Sequence, residues 1–128
     1  MSHTSEVLYV EDCEETVELF RLCLRRYCTD TAITLDVACT VSDAIERFTT
    51  ERHVAALIDW NLPDGEGTEV AEYIHQFHKA LPIIFLSAMF TDQHLLVAER
   101  YNPKACLIKD YSKNFVDIII QHIHPDVV

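Results

Sequence analysis

Val54-Ala55-Ala56-Leu57-Ile58-Asp59-Trp60-Asn61-Leu62-Pro63-Asp64-Gly65-Glu66-Gly67 is the stretch whose reading decides the fold. Its first five residues are apolar without a break, the pattern of a strand buried on both faces. The residues after Asp59 are rich in turn formers. A buried strand therefore delivers a carboxylate to its C-terminal tip, at the start of a loop.

Three other strand ends repeat that arrangement. Glu11 and Asp12 follow Val7-Leu8-Tyr9-Val10, Ser87 follows Ile83-Ile84-Phe85-Leu86, and Lys109 follows Ala105-Cys106-Leu107-Ile108. In an open parallel α/β sheet, ligands bind outside the carboxyl ends of the strands. Three carboxylates, one hydroxyl and one ammonium are expected to meet there.

Strand-like and helix-like segments alternate along the whole chain. The first helix is predicted over Glu14–Tyr27, with Val17, Phe20, Leu24 and Tyr27 on one face. Ile33–Ala38 alternates as a second strand. Thr40-Val41-Ser42-Asp43 has the form of a capping box, and Val41, Ala44, Ile45 and Phe48 follow at helical spacing. A third helix is predicted over Thr68–Ala80, with Val70, Ala71, Ile74 and Phe77 inward, ended by Pro82. Thr91–Tyr101 carries a poor apolar stripe for a fourth helix. Ser112 is placed to cap a fifth, with Phe115, Val116, Ile119, Ile120 and Ile123 facing the core. Five βα units imply an α/β fold, a doubly wound parallel sheet with helices on both faces. Residues 1–128 read as one domain without a separate output domain.

The chain of 128 residues carries a net charge of −11. That balance disfavours nucleic-acid phosphates as a ligand, and clustered carboxylates call for a cation. Its five cysteines are odd in number and lack a CxxC, which points to reduced thiols in a cytoplasmic protein. Met1-Ser2-His3-Thr4-Ser5-Glu6 lacks the pattern of a secretory leader, and no apolar run reaches membrane-spanning length.

With only Gly65 and Gly67, the chain holds neither a P-loop nor a GxGxxG fingerprint. GxSxG and HExxH are also absent. His75 and His78 share a helix face, but no carboxylate or Cys stands at metal-site spacing beside them, so a solvated face is expected. The strand tips suit a hard cation and a phosphoryl group instead. Glu11, Asp12 and Asp59 offer oxygens of the kind Mg²⁺ takes, and a carboxylate can act as nucleophile to form an aspartyl phosphate. Lys109 and the Ser87 hydroxyl suit the charge that develops on phosphoryl oxygens.

These four motifs, in this order at these strand ends, resemble the receiver domain of two-component response regulators. The resemblance covers nearly the whole chain and implies a flavodoxin-like strand order, 2-1-3-4-5. It implies that Asp59 is the phosphoacceptor, that Asp12 ligates Mg²⁺ directly and Glu11 mostly through water, and that the Asn61 carbonyl completes the metal site. Ser87 would bind a phosphoryl oxygen and report to the fourth helix, and Lys109 would pair with the phosphoryl group. Asn61 and Met89 occupy the positions that tune dephosphorylation in this family. The donor would be a phosphohistidine on a sensor histidine kinase or a histidine phosphotransfer protein. The output would be a downstream protein partner or onward transfer of phosphate, with no enzymatic activity beyond the domain's own phosphorylation and dephosphorylation. The competing readings are a degenerate receiver that binds a partner without phosphorylation and a small Mg²⁺-dependent aspartyl-phosphate phosphatase. Against the phosphatase, Asn61 stands where a second Asp would serve as general acid.

The chain departs from the family at two places. Cys106 replaces the usual switch aromatic three residues before Lys109. Asp110 replaces the proline whose cis bond aims the lysine, so the bond after Lys109 is either cis and strained or trans with a different approach. Asn102 stands where glycine often ends the fourth helix. It tolerates the left-handed region, although Pro103 restricts it. Arg21, Arg25 and Arg26 lie on the helix where the family docks its phosphodonor, or on a solvated face with a Glu18–Arg21 pair. Ile118-Ile119-Ile120 is either a broad core stripe or part of a homodimer or partner surface through the fourth-helix, fifth-strand and fifth-helix face.

Overall fold

The computed structural model describes residues 4–28 and 32–123, so Met1-Ser2-His3 of the N-terminal segment lie outside the described residues. The elements are β1 (Thr4–Val10), α1 (Glu14–Tyr27), β2 (Ala32–Ala38), α2 (Val41–Arg47), β3 (His53–Asp59), β4 (Asn61–Leu62), β5 (Gly65–Glu66), α3 (Gly67–Phe77), β6 (Ile83–Ser87), α4 (Asp92–Ala98), a 3₁₀ turn (Glu99–Tyr101), β7 (Ala105–Ile108) and α5 (Lys113–Ile123). The main sheet is parallel and runs β2-β1-β3-β6-β7. Without the small β4–β5 hairpin this is the expected order 2-1-3-4-5.

Alternation along the strands divides the core in two. Leu8, Val10, Ala56, Ile58, Ile83 and Phe85 face α2 and α3, with Ala98 of α4 joining them. Val7, Tyr9, Ala55, Leu57, Ile84 and Leu86 face α1 and α5. Each large apolar side chain buried this way contributes about 1.5–3 kcal/mol. The α1 stripe is as expected, with Val17, Phe20 and Leu24 buried and Cys23 added to them. In α5, Phe115, Val116 and Ile119 are buried, and Ile120 and Ile123 pack against them while Ile118 is half-buried.

Local signals set the helix ends. Thr40 Oγ1 accepts the Asp43 N–H at 2.9 Å, half of the expected capping box. The other half is shifted, because the Asp43 carboxylate takes the Cys39 N–H at 3.3 Å. The Ser112 cap holds, its Oγ accepting the Phe115 N–H at 3.1 Å. Asn102 adopts the left-handed region with φ 45° despite Pro103.

Three expectations are corrected. Helix α3 ends at Phe77 rather than Ala80, because His78 leaves helical geometry at φ −152°. Phe77 is accordingly 60% exposed, and Leu81 fills the core position instead. The fourth helix is α-helical only over Asp92–Ala98 and tightens into the 3₁₀ turn before Asn102. The loop after Asp59 is an ordered hairpin, pairing Asn61 with Glu66 and Leu62 with Gly65. Asp64 ties that hairpin to α2 by accepting the Val41 and Ser42 N–H groups at 2.7 and 3.1 Å. Those donors are left free by any helix start, and they hold the Asp64 carboxyl below its ordinary value.

Candidate functional site

Ladder hydrogen bonds carried past the strands align the four tips. Glu11 N donates to Ala38 O at 2.9 Å, Trp60 N to Leu86 O at 2.8 Å, and Lys109 N to Ser87 O at 2.9 Å. The two-residue period puts Glu11, Asp59 and Lys109 on the α1/α5 side, in line with Tyr9, Leu57 and Leu107.

Their side chains meet. Lys109 Nζ lies 2.7 Å from Glu11 Oε1 and 2.9 Å from Asp59 Oδ2. Glu11 and Asp59 are buried, while Asp12 is exposed at the rim. Oxygens of Glu11, Asp12 and Asp59 lie within 4.8 Å of one another. The three carboxylates offer the hard oxygen donors a small divalent cation takes, and Lys109 pairs with two of them.

Burial raises the Glu11 carboxyl above its ordinary range, and the Lys109 ammonium pulls it only partly back. Burial alone would lower the lysine, but its bonds to Glu11 and Asp59 prevail and hold it above the ordinary lysine value. The two directions agree physically. One ammonium cannot fully balance several acids, so it stays charged while one buried acid becomes harder to ionise.

The remaining site residues lie around this cluster. The Asn61 N–H is 3.4 Å from Asp59 Oδ1, and the Asn61 side chain is exposed. The Ser87 hydroxyl donates to Met89 O at 2.8 Å and accepts the Met89 N–H at 3.3 Å. The Met89 side chain is 68% exposed. Cys106 pairs in register with Phe85 and faces α4. There it lines an open groove of about 440 Å³ with Leu95, Ala98, Glu99, Pro103 and Ala105. Arg21 borders a second groove, of about 480 Å³, together with Glu11, Asp12, Glu14, Glu18 and Cys39. The Glu18–Arg21 pair is present at 3.6 Å, and Arg25 and Arg26 are exposed. His75 and His78 belong to no metal-ligand cluster among the described residues.

A model of the response regulator receiver domain matches residues 7–121. The chain belongs to this family. Two curated relatives are the luminescence regulatory protein LuxO of Vibrio campbellii and the regulatory protein LuxO of Vibrio parahaemolyticus. Each is 31% identical over 100 residues, covering 78% of this chain and 21% of the relative. The receiver thus spans about a fifth of the length of those proteins. Among solved structures, the non-phosphorylated HemR receiver domain of Leptospira biflexa is 26% identical with a TM-score of 0.82, covering 94% of both chains. A CheY-like receiver of Methanospirillum hungatei shares the fold at TM-score 0.82 and 19% identity, covering 95% of both chains. This is therefore a receiver domain of two-component signalling, a signalling module in class. No helix among the described residues is long and apolar enough to cross a membrane.

Two features of the surroundings escape sequence reasoning. His53, with no exposed side-chain surface, donates from Nε2 to Asp36 Oδ2 at 2.9 Å, the tautomer fixed by the Thr49 N–H at Nδ1. Arg47 and Arg52 pair with the same Asp36 at 3.0 and 2.7 Å. Gly67 is packed so closely on the Asp59 carbonyl and on Ile58 that a Cβ there would collide with backbone.

Proposed function

We propose that Asp59 accepts a phosphoryl group from a phosphohistidine donor and that the domain signals by protein contact or passes the phosphate on. The observation that carries this is the placement of Asp59 Oδ2 2.9 Å from Lys109 Nζ, within the same cluster as Glu11 and Asp12. A carboxylate oxygen of Asp59 forms a bond to phosphorus as the phosphorus–nitrogen bond of the donor breaks. The imidazole leaves with the bonding electrons. Lys109, already charged and held at the site, follows the negative charge from the carboxylate to the phosphoryl oxygens. Ser87 exchanges its bond to Met89 O for one to a phosphoryl oxygen.

Asp12, Glu11, Asp59 and the Asn61 carbonyl would hold Mg²⁺, and the donor set fits it. When bound, Mg²⁺ supplies counter-charge to the acids and a seat for phosphoryl oxygens. Exposed Asp12 suits a direct ligand, and buried Glu11, engaged by Lys109, suits a role through water. The acidic groove beside α1 suits a donor that presents basic groups near its histidine.

A second reading, a receiver that binds its partner without switching, is favoured by Cys106, which lacks a ring to turn inward. Intact mass after acetyl phosphate separates the two. A single adduct that needs Mg²⁺ and is absent in Asp59→Asn supports the phosphoacceptor. If wild type takes up neither a phosphoryl group nor beryllofluoride, the non-switching module stands.

A further inference from the structure

No cis peptide bond occurs among the described residues, so the chain leaves Lys109 by a trans bond to Asp110. The turn is made another way. The Asp110 N–H folds back on Ile108 O at 2.8 Å, and Tyr111 takes the left-handed conformation at φ 52°. A bulky residue there is strained and persists only where its surroundings hold it.

Tyr111 is held from several sides. Its ring packs against Phe115 at 4.9 Å and Phe20 at 5.9 Å. Its carbonyl accepts the Cys23 S–H at 3.3 Å. Its hydroxyl lies 3.4 Å from that of Tyr9, which is fully buried in β1. A buried phenol needs a hydrogen-bond partner, so the core itself specifies where Tyr111 sits. On the outer side, the Asp110 carboxylate accepts the N–H and Oγ–H of Ser112 at 3.1 and 3.0 Å. Burial raises both phenols, so their hydroxyls stay protonated and able to donate.

Lys109 is therefore clamped between its ladder bond to Ser87 O and a left-handed residue two positions on. We infer that Tyr111, anchored by Tyr9, is the positioning residue for Lys109, reached here through a trans bond. The inference rests on the phosphoacceptor reading of Asp59, and it adds residues that touch none of the reacting atoms.

The test compares wild type, Tyr111→Phe and Tyr111→Asn, each with Lys109 intact and in a Lys109→Ala background. Asn accepts the left-handed backbone but removes the anchor. Expected is a fall of about tenfold in the acetyl phosphate reaction rate for Tyr111→Asn, a smaller fall for Tyr111→Phe, and unchanged Mg²⁺ affinity by Trp60 fluorescence. In the Lys109→Ala background the Tyr111 change should add nothing. Equal slowing in both backgrounds, or Mg²⁺ affinity and melting temperature falling in step with the rate, would overturn the inference. If Tyr111→Asn does not fold, Tyr111→Phe and Tyr9→Phe carry the same comparison. The ammonium signal of Lys109 in proton–nitrogen NMR gives a readout without phosphorylation. It should be present in wild type and lost in Tyr111→Asn. Its persistence defeats the inference even if Asp59 proves not to be the acceptor, and a wild type that takes no phosphoryl group defeats only the acceptor reading.

Discussion

The Lys109 ammonium stands 2.9 Å from Asp59 Oδ2, with the two side chains only 17% and 9% exposed. It also meets Glu11, so one positive charge is set against the carboxylates of Glu11, Asp12 and Asp59. Without metal this excess of negative charge opposes folding. Asp59→Asn is therefore expected to be more stable than wild type in EDTA, by about 1 kcal/mol. Added Mg²⁺ should then stabilise wild type more than the variant. Urea denaturation of both proteins, with and without Mg²⁺, checks it. A variant less stable than wild type in EDTA would mean that Lys109 already balances the cluster.

Gly67 is fixed by what surrounds it. Its N–H donates to Trp60 O at 2.8 Å. A Cβ at this position would strike the Asp59 carbonyl and come within 2.7 Å of Ile58 Cγ2. Neither can step aside without moving the end of β3. Gly67→Ala should lose about 1–3 kcal/mol of stability and slow acetyl phosphate uptake. Gly65→Ala meets mainly the flexible Glu69 side chain, so it should be the milder change in both assays. A Gly67→Ala protein as stable as wild type would show that β3 yields at its tip.

The strand tips were legible because unbroken apolar runs end abruptly in charged or hydroxyl residues. Val54–Ile58 and Ile83–Leu86 left little choice about where the sheet runs or where Asp59 and Ser87 emerge. Phe77 misled because it continues the spacing of Val70, Ala71 and Ile74, while the turn at His78 ends the helix one residue later. The Asp36–His53 pair was hidden for a different reason. Alternation put Asp36 on the polar side of its strand, and its partner reaches it from β3, across β1. Tyr9 and Tyr111 are 102 residues apart, and only the packed α1/α5 layer brings their hydroxyls together.

Asp36 provides a pH dependence with a definite sign. Burial alone would raise its carboxyl, but the bonds from His53 and Arg47 and the charge of Arg52 prevail and lower it. A lowered folded value means that the stabilisation is present above the unfolded aspartate range, about pH 4, and is lost as pH falls below it. Asp36→Asn should therefore flatten the acid limb of the stability curve. Asp36→Ala at neutral pH should lose about 1–3 kcal/mol, because the buried His53 Nε2–H loses its acceptor. Thermal melts from pH 3 to 7 decide it. An acid limb equally steep in wild type and Asp36→Asn would assign the acid sensitivity to other carboxylates.

Trp60 joins the tip of β3 to α4. Its ring lies 5.8 Å from Phe90 and 5.3 Å from His94, and it is 2% exposed. In the phosphoacceptor reading proposed above, Ser87 would give up its 2.8 Å bond to Met89 O to reach a phosphoryl oxygen. That release would free the loop carrying Phe90, and the packing around Trp60 would change with it. Cys106 packs against the same core but is too small to act as a rotating ring, so it would not be needed for this route. Beryllofluoride with Mg²⁺ should therefore shift Trp60 emission beyond the effect of Mg²⁺ alone. Ser87→Ala should remove the added shift, and Cys106→Ala should keep it. Loss of the shift in Cys106→Ala, with Ser87→Ala unaffected, would move the switch from the β6–α4 loop to β7.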